Sequence, residues 1–309
     1  MRAEAVALLR CPSCHRDGTL TLSVQRADEV EVREGTLRCT ACGTAFPITD
    51  GIVDLLHDPP EFVRREAAGL ERFAEVMRAG GWDRSQILAL PHADDGYWVA
   101  QAQAMDSLLQ AVELRPGARI VDIGANVGWA TNIFARRGLH AIAVDIAMAE
   151  LQGLRTAQYY LDEGVYFERV RTMMFDLALA SESVDYVFCC QVLHHNDGAH
   201  LRRTLGEIYR VLRPGGKLLV INDQLKFPLN LKRGHDSTEV AEFEGNEHVH
   251  FFHQYYLAAR RAGFRVWVRR PGINGSVPKA VWGRKLALAY KLLISGDANL
   301  NLVGTKPVR

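Results

Sequence analysis

Several things are scarce in this 309-residue sequence, and each scarcity excludes something. Charge of one sign is missing: 37 Lys and Arg stand against 36 Asp and Glu, for a net of +1, so there is no general electrostatic footprint for nucleic acid. Long apolar runs are missing too. None approaches the roughly 20 residues that span a bilayer, and residues 1–9 lack the pattern of a secretory leader before Cys11 interrupts them. Cysteine is limited to six residues, four of them in metal-ligand spacing and two, Cys189 and Cys190, adjacent in an apolar run. That usage fits a reducing compartment rather than a disulfide scaffold, and a cytoplasmic location is expected. No internal repeat or low-complexity tract is present, and 48% hydrophobic with 24% charged residues is globular composition.

The small net charge hides an uneven distribution. Residues 1–57 carry six Lys and Arg against eight Asp and Glu, whereas residues 223–309 carry fourteen against seven. The first segment has paired cysteines and short β-prone runs at 19–24, 29–32 and 35–38. From Pro59 the character turns helical: 61–78 spaces Phe62, Val63, Leu70, Phe73, Val76 and Met77 as one helix face. A second helix is expected over 97–112, with Asp94 or Asp95 as its cap. The domain plan is therefore 1–57, a helical linker or lid at 58–112, and a larger domain at 113–309 with insertions at about 223–255 and 272–298.

Within 113–309, apolar strands alternate with helices. Strands are expected at 119–123, 141–144, 166–171, 184–190 and 217–221, with helices at 129–137, 151–161 and 200–212 between them. A helix at 254–262 and closing strands at 264–268 and 300–305 follow. This alternation implies an α/β fold with a mostly parallel sheet covered by helices on both faces.

Cys11-Pro-Ser-Cys14 and Cys39-Thr-Ala-Cys42 are two C-x2-C knuckles. Four soft thiolates at this spacing suit a tetrahedral metal, and zinc would supply folding free energy that so short a segment cannot draw from a core. Four thiolates leave no open position, so the expected Zn2+ is structural. His15 is a surplus candidate. The text around the knuckles, with Phe46-Pro-Ile-Thr-Asp-Gly-Ile-Val, resembles the zinc ribbon of the small activator subunit of tRNA and protein methyltransferases, over residues 9–56.

Val121-Asp122-Ile123-Gly124-Ala125-Asn126-Val127-Gly128 is a strand entering a glycine turn before a helix. Gly124 bends the backbone off the strand, Gly128 lets the helix pack close, and the amides at the helix start suit an anion. Such a turn alone also fits dinucleotide enzymes. Asp145, 23 residues after Asp122, stands where a carboxylate grips ribose hydroxyls. Asp176 follows the third strand, and Leu212-Arg-Pro-Gly-Gly-Lys leads into the fifth. Taken in order, these motifs resemble class I S-adenosylmethionine-dependent methyltransferases. The resemblance implies a Rossmann-like fold with a mostly parallel seven-stranded sheet behind the N-terminal zinc ribbon. It also implies cofactor-binding roles for Asp122, Gly124, Asn126, Gly128, Asp145, Asp176 and Gln191. Asn126 departs from the glycine common at its place, and Asn tolerates left-handed backbone angles.

Methyl transfer needs a positioned acceptor and, for many acceptors, a base. The run after the fourth strand reads Cys190-Gln191-Val-Leu-His194-His195-Asn196, and His195 is the candidate base, a packing role being the alternative. Glu244-Gly-Asn-Glu247-His248-Val-His250-Phe-Phe-His253 is a second polar cluster, from which Glu247 and His248 are chosen as catalytic candidates. Tyr97 and Trp98 fit a cover for cofactor or acceptor, or simple helix packing. The basic amphipathic stretch 279–294 suits peripheral membrane contact, a sheet cover or a homodimer face. The resulting expectation is methyl transfer to O or N of a small-molecule or glycan-like acceptor. The alternatives are an RNA methyltransferase docking through the ribbon, which the acidic ribbon disfavours, and a non-catalytic binding module.

Overall fold

A computed structural model describes residues 1–93, 96–226, 246–268 and 299–308. Asp94, Asp95, Glu244 and the basic stretch 279–294 lie outside the described residues. The strands are β1 (Leu20–Ala27), β2 (Val32–Cys39), β3 (Ala45–Thr49), β4 (Ile52–Asp54), β5 (Arg119–Ile123), β6 (His140–Asp145), β7 (Glu168–Arg171), β8 (Val184–Cys190), β9 (Leu212–Lys226), β10 (His250–Phe251), β11 (Arg265–Val268) and β12 (Asn299–Thr305). The helices are α1 (Glu61–Ala79), α2 (Arg84–Ala89), α3 (Gly96–Ala111), α4 (Trp129–Arg136), α5 (Gln158–Asp162), α6 (Gly198–Val211) and α7 (Phe252–Ala262).

The part from residue 113 onward has the expected layers. Strands β7, β6, β5, β8 and β9 run parallel, and β12 inserts antiparallel between β9 and β11. The central strands are Val-, Ile- and Ala-rich because helices cover both faces: Ile120, Val121, Val144, Val187 and Leu219 are fully buried. Asp197 caps α6 by accepting from the amides of Ala199 and His200, each at 2.8 Å.

Two expected elements differ. The strand expected at 29–32 does not form before Val32, because Asp28 Oδ1 accepts the amides of Val30 and Glu31, which makes a side-chain-closed turn, and pairing begins at Val32. The helix expected at 151–161 is broken into a 3-10 turn (Leu154–Ala157) and the short α5. Leu151 adopts a φ of 75°, and its amide donates to Thr156 Oγ1 at 2.8 Å, so the chain turns where a helix would start.

The N-terminal unit is not a separate body on a tether. Its meander β1–β4 ends with β4 lying parallel to β7, Val53 opposite Val170 and Asp54 opposite Arg171. One continuous sheet results, in the order β1-β2-β3-β4-β7-β6-β5-β8-β9-β12-β11, with β10 pairing with the end of β9. Charge reinforces the seam. Buried Glu31 pairs with buried Arg169 and with Arg33 at 2.9 Å, and Arg171 Nη1 donates to Asp54 Oδ2 at 2.9 Å. Burial works against the Glu31 charge, but the Arg169 guanidinium outweighs it and holds the carboxyl below its usual range. From this anchored edge the chain passes into α1. Among the described residues no helix is long and apolar enough to cross a membrane.

Candidate functional site

A cavity of about 450 Å³ opens at the carboxyl ends of the parallel strands. This is where an open α/β sheet binds ligands, and the size suits a small molecule. Gly124, Asn126 and Val127 of the glycine turn line one side, Gln191, His194 and His195 the next, and α1 to α3 cover the remainder.

The glycine turn is held open by its own chemistry. Gly124 has a φ of 69°, and a Cβ there would drive into the Val192 side chain, so no other residue fits the turn against the loop after β8. Asn126 takes a φ of 47°, the left-handed angle its side chain tolerates. Its amide donates to Asp145 Oδ2 at 2.8 Å, and its Nδ2 donates to Gln152 Oε1 at 2.9 Å. Its Oδ1 is buried with no hydrogen-bond partner among the described residues. A buried acceptor left open beside a cavity is what a ligand hydroxyl or amine would complete. The turn therefore fits a nucleoside-bearing cofactor.

The acids behind the turn play supporting parts. Asp122 Oδ2 accepts from Thr131 Oγ1 at 2.6 Å, and burial pushes its carboxyl up to about 7, the nearby Asp145 charge adding to the effect. Asp145 accepts the Ala147 amide at 2.9 Å as well as that of Asn126, and burial raises its pKa.

The opposite wall is a loop fixed from below. After β8 the chain makes a 3-10 turn (Leu193–His195) above β9. In β9, Asn222 has a φ of 53°, and the pairing with β12 shifts register there, which kinks the strand and aims Asp223 beneath the turn. The fully buried Asp223 carboxylate accepts the amides of Leu193 at 2.8 Å and His194 at 3.2 Å, and lies 2.9 Å from His194 Nδ1. Tyr255 Oη donates to the same carboxylate at 3.3 Å. Burial pushes the Asp223 pKa up, but the His194 contact and the amides outweigh it, so the group stays below its ordinary value.

A strap of residues 246–251 clasps the turn from outside. Asn246 Nδ2 donates to His195 O at 2.7 Å, the His248 amide to His194 O at 2.6 Å, and His250 Nε2 to Asn196 O at 2.7 Å. The strap also brings Glu247 to the cavity wall.

His195 faces a different partner. Its Nδ1 lies 2.5 Å from Glu66 Oε1 of α1, as an ion pair in which the ring N–H is not aligned for a hydrogen bond. Burial disfavours the imidazolium, but the Glu66 charge, with Glu247 and Asp223 beyond it, overcomes this and raises the pKa to about 9.

Of the sequence-derived candidates, the structure brings Gly124, Asn126, Gln191, His195 and Glu247 to one cavity, with Tyr97 and Trp98 beside them. Gln191 accepts from Tyr97 Oη at 3.2 Å. Asp122, Gly128 and Asp145 stand behind the lining. Asp176 lies elsewhere, its carboxylate 3.5 Å from His15 Nδ1 of the N-terminal unit and 3.6 Å from Arg203. The His248 side chain is exposed and outside the cavity lining, its Nε2 3.0 Å from Asn246 Oδ1, while its backbone amide donates to His194 O. Sequence reading missed Glu66, Asp223, Gln101 and Gln152. Glu66 carried a signal, since a carboxylate at that position interrupts the apolar stripe of α1 between Phe62 and Leu70.

A second candidate centre lies in the N-terminal unit. The sulfurs of Cys11, Cys14, Cys39 and Cys42 all lie within 4.8 Å of one another, with Cys11–Cys42 at 3.7 Å and Cys14–Cys39 at 3.6 Å. Thr19 Oγ1 and Thr44 Oγ1 stand 3.3 and 3.2 Å from the sulfurs of Cys39 and Cys42. Such a donor set could hold one thiophilic metal. Among the described residues no other group of His, Cys, Asp and Glu gathers in this way.

Comparison with known proteins agrees with both centres. Residues 121–220 match the family described as methyltransferase domain, and residues 6–51 match the family of Trm112p-like proteins. The chain is similar to a ubiquinone biosynthesis O-methyltransferase of Hahella chejuensis, 28% identical over 198 residues covering 63% of this chain and 79% of the relative. It is also similar to a malonyl-[acyl-carrier protein] O-methyltransferase of Salmonella typhimurium, 29% identical over 119 residues, 38% of this chain and 43% of the relative. Among solved structures, a complex between the Haloferax volcanii Trm112 methyltransferase activator and a methyltransferase aligns with a TM-score of 0.51 at 19% identity, covering 73% of this chain and 98% of that one. The [4+2]-cyclase SpnF aligns with a TM-score of 0.57 at 18% identity, covering 81% and 97%. These two likenesses show the fold alone.

Proposed function

We propose that this chain, a class I S-adenosylmethionine-dependent methyltransferase domain preceded by a Trm112p-like unit, transfers a methyl group to a hydroxyl oxygen of a small-molecule acceptor. One observation carries the reading: the glycine turn and an imidazole backed by a buried carboxylate open on the same cavity. The relatives named as O-methyltransferases support oxygen over nitrogen.

Gly124, Asn126, Gln152 and Gln191 would hold S-adenosylmethionine, which supplies an electrophilic methyl group on a sulfonium centre. Asp122, Gly128 and Asp145 fix the turn on which those residues stand. Asp223 orients His194 through Nδ1 and keeps that nitrogen protonated, which leaves Nε2 as the basic atom available to an acceptor hydroxyl. His195 is held as an imidazolium by Glu66 at neutral pH, so it donates a hydrogen bond and does not accept the proton. In this reading His194 is the base and His195, the candidate from the sequence, is a hydrogen-bond donor. Glu247 faces the acceptor side. Helices α1 to α3 supply the apolar part of the lining through Leu70, Phe73, Met77, Ile87 and Trp98.

For the cysteine cluster we infer a structural zinc. A tetrahedron with Zn–S near 2.3 Å has edges of about 3.8 Å, close to the sulfur separations found. An RNA acceptor draws no support from the cavity, whose lining includes no Lys or Arg among the described residues.

Calorimetry with S-adenosylhomocysteine, followed by transfer of labelled methyl to phenolic acceptors, tests the reading. The native chain is expected to bind, with affinity about tenfold or more weaker in Asp145→Ala, where the Asn126 amide loses its acceptor. No binding by the native chain overturns the assignment.

A further inference from the structure

Tyr97 and Gln101 stand one turn apart on α3 and so share a face of the helix. Tyr97 Oη donates to Gln191 Oε1 at 3.2 Å. Gln101 is only 1% exposed, and its Oε1 accepts from Asn222 Nδ2 at 2.9 Å and from Cys190 Sγ at 3.2 Å. Asn222 Nδ2 also donates to Ala100 O at 3.2 Å. Gln191 and Asn222 directly follow Cys190 and Ile221, which pair across β8 and β9. One face of α3 is thus bonded to two neighbouring parallel strands near their carboxyl ends.

Both of these residues have an unusual backbone. Gln191 has a φ of 50° and Asn222 a φ of 53°. Residues other than glycine seldom take such left-handed angles, and they keep them where the surroundings over-determine the chain. At Asn222 those surroundings can be named. Its amide donates to Asn301 Oδ1 of β12 at 3.0 Å, and its side chain is held by α3. Ordinary strand angles at Asn222 would turn its side chain away from α3. They would also turn Asp223 away from the amides of Leu193 and His194 and from His194 Nδ1.

We propose that Gln101 is a positioning residue for His194: it holds the Asn222 side chain, and with it the backbone angle that presents the Asp223 carboxylate to the imidazole. This rests on the reading of His194 as the base of a methyltransferase, and deepens it by making that base depend on α3. Tyr97, Trp98 and Gln101 of α3 all line the cavity, so the helix that contacts a bound ligand also sets the base. Gln101 passes no proton and acts only through Asn222 and Asp223.

The test reads the His194 tautomer by nitrogen NMR on the full chain carrying isotope-labelled histidine, in mildly alkaline buffer. The ring signals are assigned by their loss in His194→Gln. The native chain is expected to show the tautomer with its proton on Nδ1. Gln101→Met keeps the side-chain length and removes the acceptor, and should raise the share of the Nε2–H form about threefold or more, the equivalent of one weakened hydrogen bond. Asn222→Gly takes the left-handed angle freely but has no side chain to reach α3, and should do the same. Leu108→Ala loosens the same helix at a buried apolar position about two turns further along, and should leave the tautomer as in the native chain. Transfer of labelled methyl should fall about tenfold or more in Gln101→Met, with S-adenosylhomocysteine affinity kept within about threefold. A tautomer unmoved in both Gln101→Met and Asn222→Gly, or moved as far by Leu108→Ala, overturns the proposal. A tautomer that responds as expected in a chain that transfers no methyl group would instead sink the methyltransferase reading and leave the positioning link standing.

Discussion

Two buried carboxylates organise this molecule, and they are satisfied in opposite ways. Glu31, in the seam between the N-terminal unit and the sheet, is surrounded by guanidinium groups from Arg33 and Arg169. Asp223, under the cavity, accepts from three amides, those of Leu193, His194 and Gln224, and from a phenol and an imidazole. Guanidinium does not titrate in water, so Arg33 and Arg169 hold fixed charges against Glu31 and serve to join two parts, with the buried Met1 amine as a third partner at 2.8 Å. A neutral imidazole has one donor and one acceptor nitrogen, so in the proposed reaction the Asp223 cluster can pass a proton. Equal burial thus yields cement in one place and an acid–base device in the other, and the partner decides which.

The largest effect should come from breaking the seam. Arg169→Met leaves Glu31 buried with less compensation and is expected to cost about 3–5 kcal/mol in urea unfolding. Cofactor affinity measured on the remaining folded fraction should change little. A stability loss below about 1 kcal/mol would show that the Glu31 cluster is not the joint.

Asp223→Asn should reverse that pattern. Its expected signature is a fall in kcat of about 10²–10⁴ from a misdirected imidazole, larger than its effect on unfolding, and an altered acid limb of the pH–rate profile. Unaltered turnover with a weakened fold would make Asp223 a second piece of cement.

The smallest effect sharpens the comparison from a third pair. His195 binds its proton more tightly in the folded chain than its ordinary 6.5, at about 9. Its contribution to stability is therefore complete below about pH 6.5 and is lost as pH rises through about 9. Glu66→Gln should lower stability by about 2 kcal/mol at pH 6 and by little at pH 10, and NMR titration should place the His195 pKa well below the native value. An unmoved titration would remove Glu66 from the site.

What could be read in advance followed from local chemistry. The C-x2-C pairs and the turn at Gly124–Gly128 are short-range patterns, and apolar runs such as Ile120–Ile123 announce strands buried on both faces. The partnerships that make the site are long-range. Nothing near Asp223 in the chain says that a kink at Asn222 will aim it at His194, 29 residues away. The sequence favours His195 over His194 as a base without showing the partner of either, and adjacent imidazoles look alike until their partners are known. Asp176 was assigned from its position after a strand, whereas His15 and Arg203 draw its carboxylate away from the cavity.

The parallel pairing of Val53 with Val170 has a consequence for assembly. An outermost strand normally offers unused amides and carbonyls to any extended segment that drifts by. Here the chain's own meander occupies that rim of the parallel sheet, at a local concentration that the covalent connection sets. A competitor for the same rim must first peel the meander away.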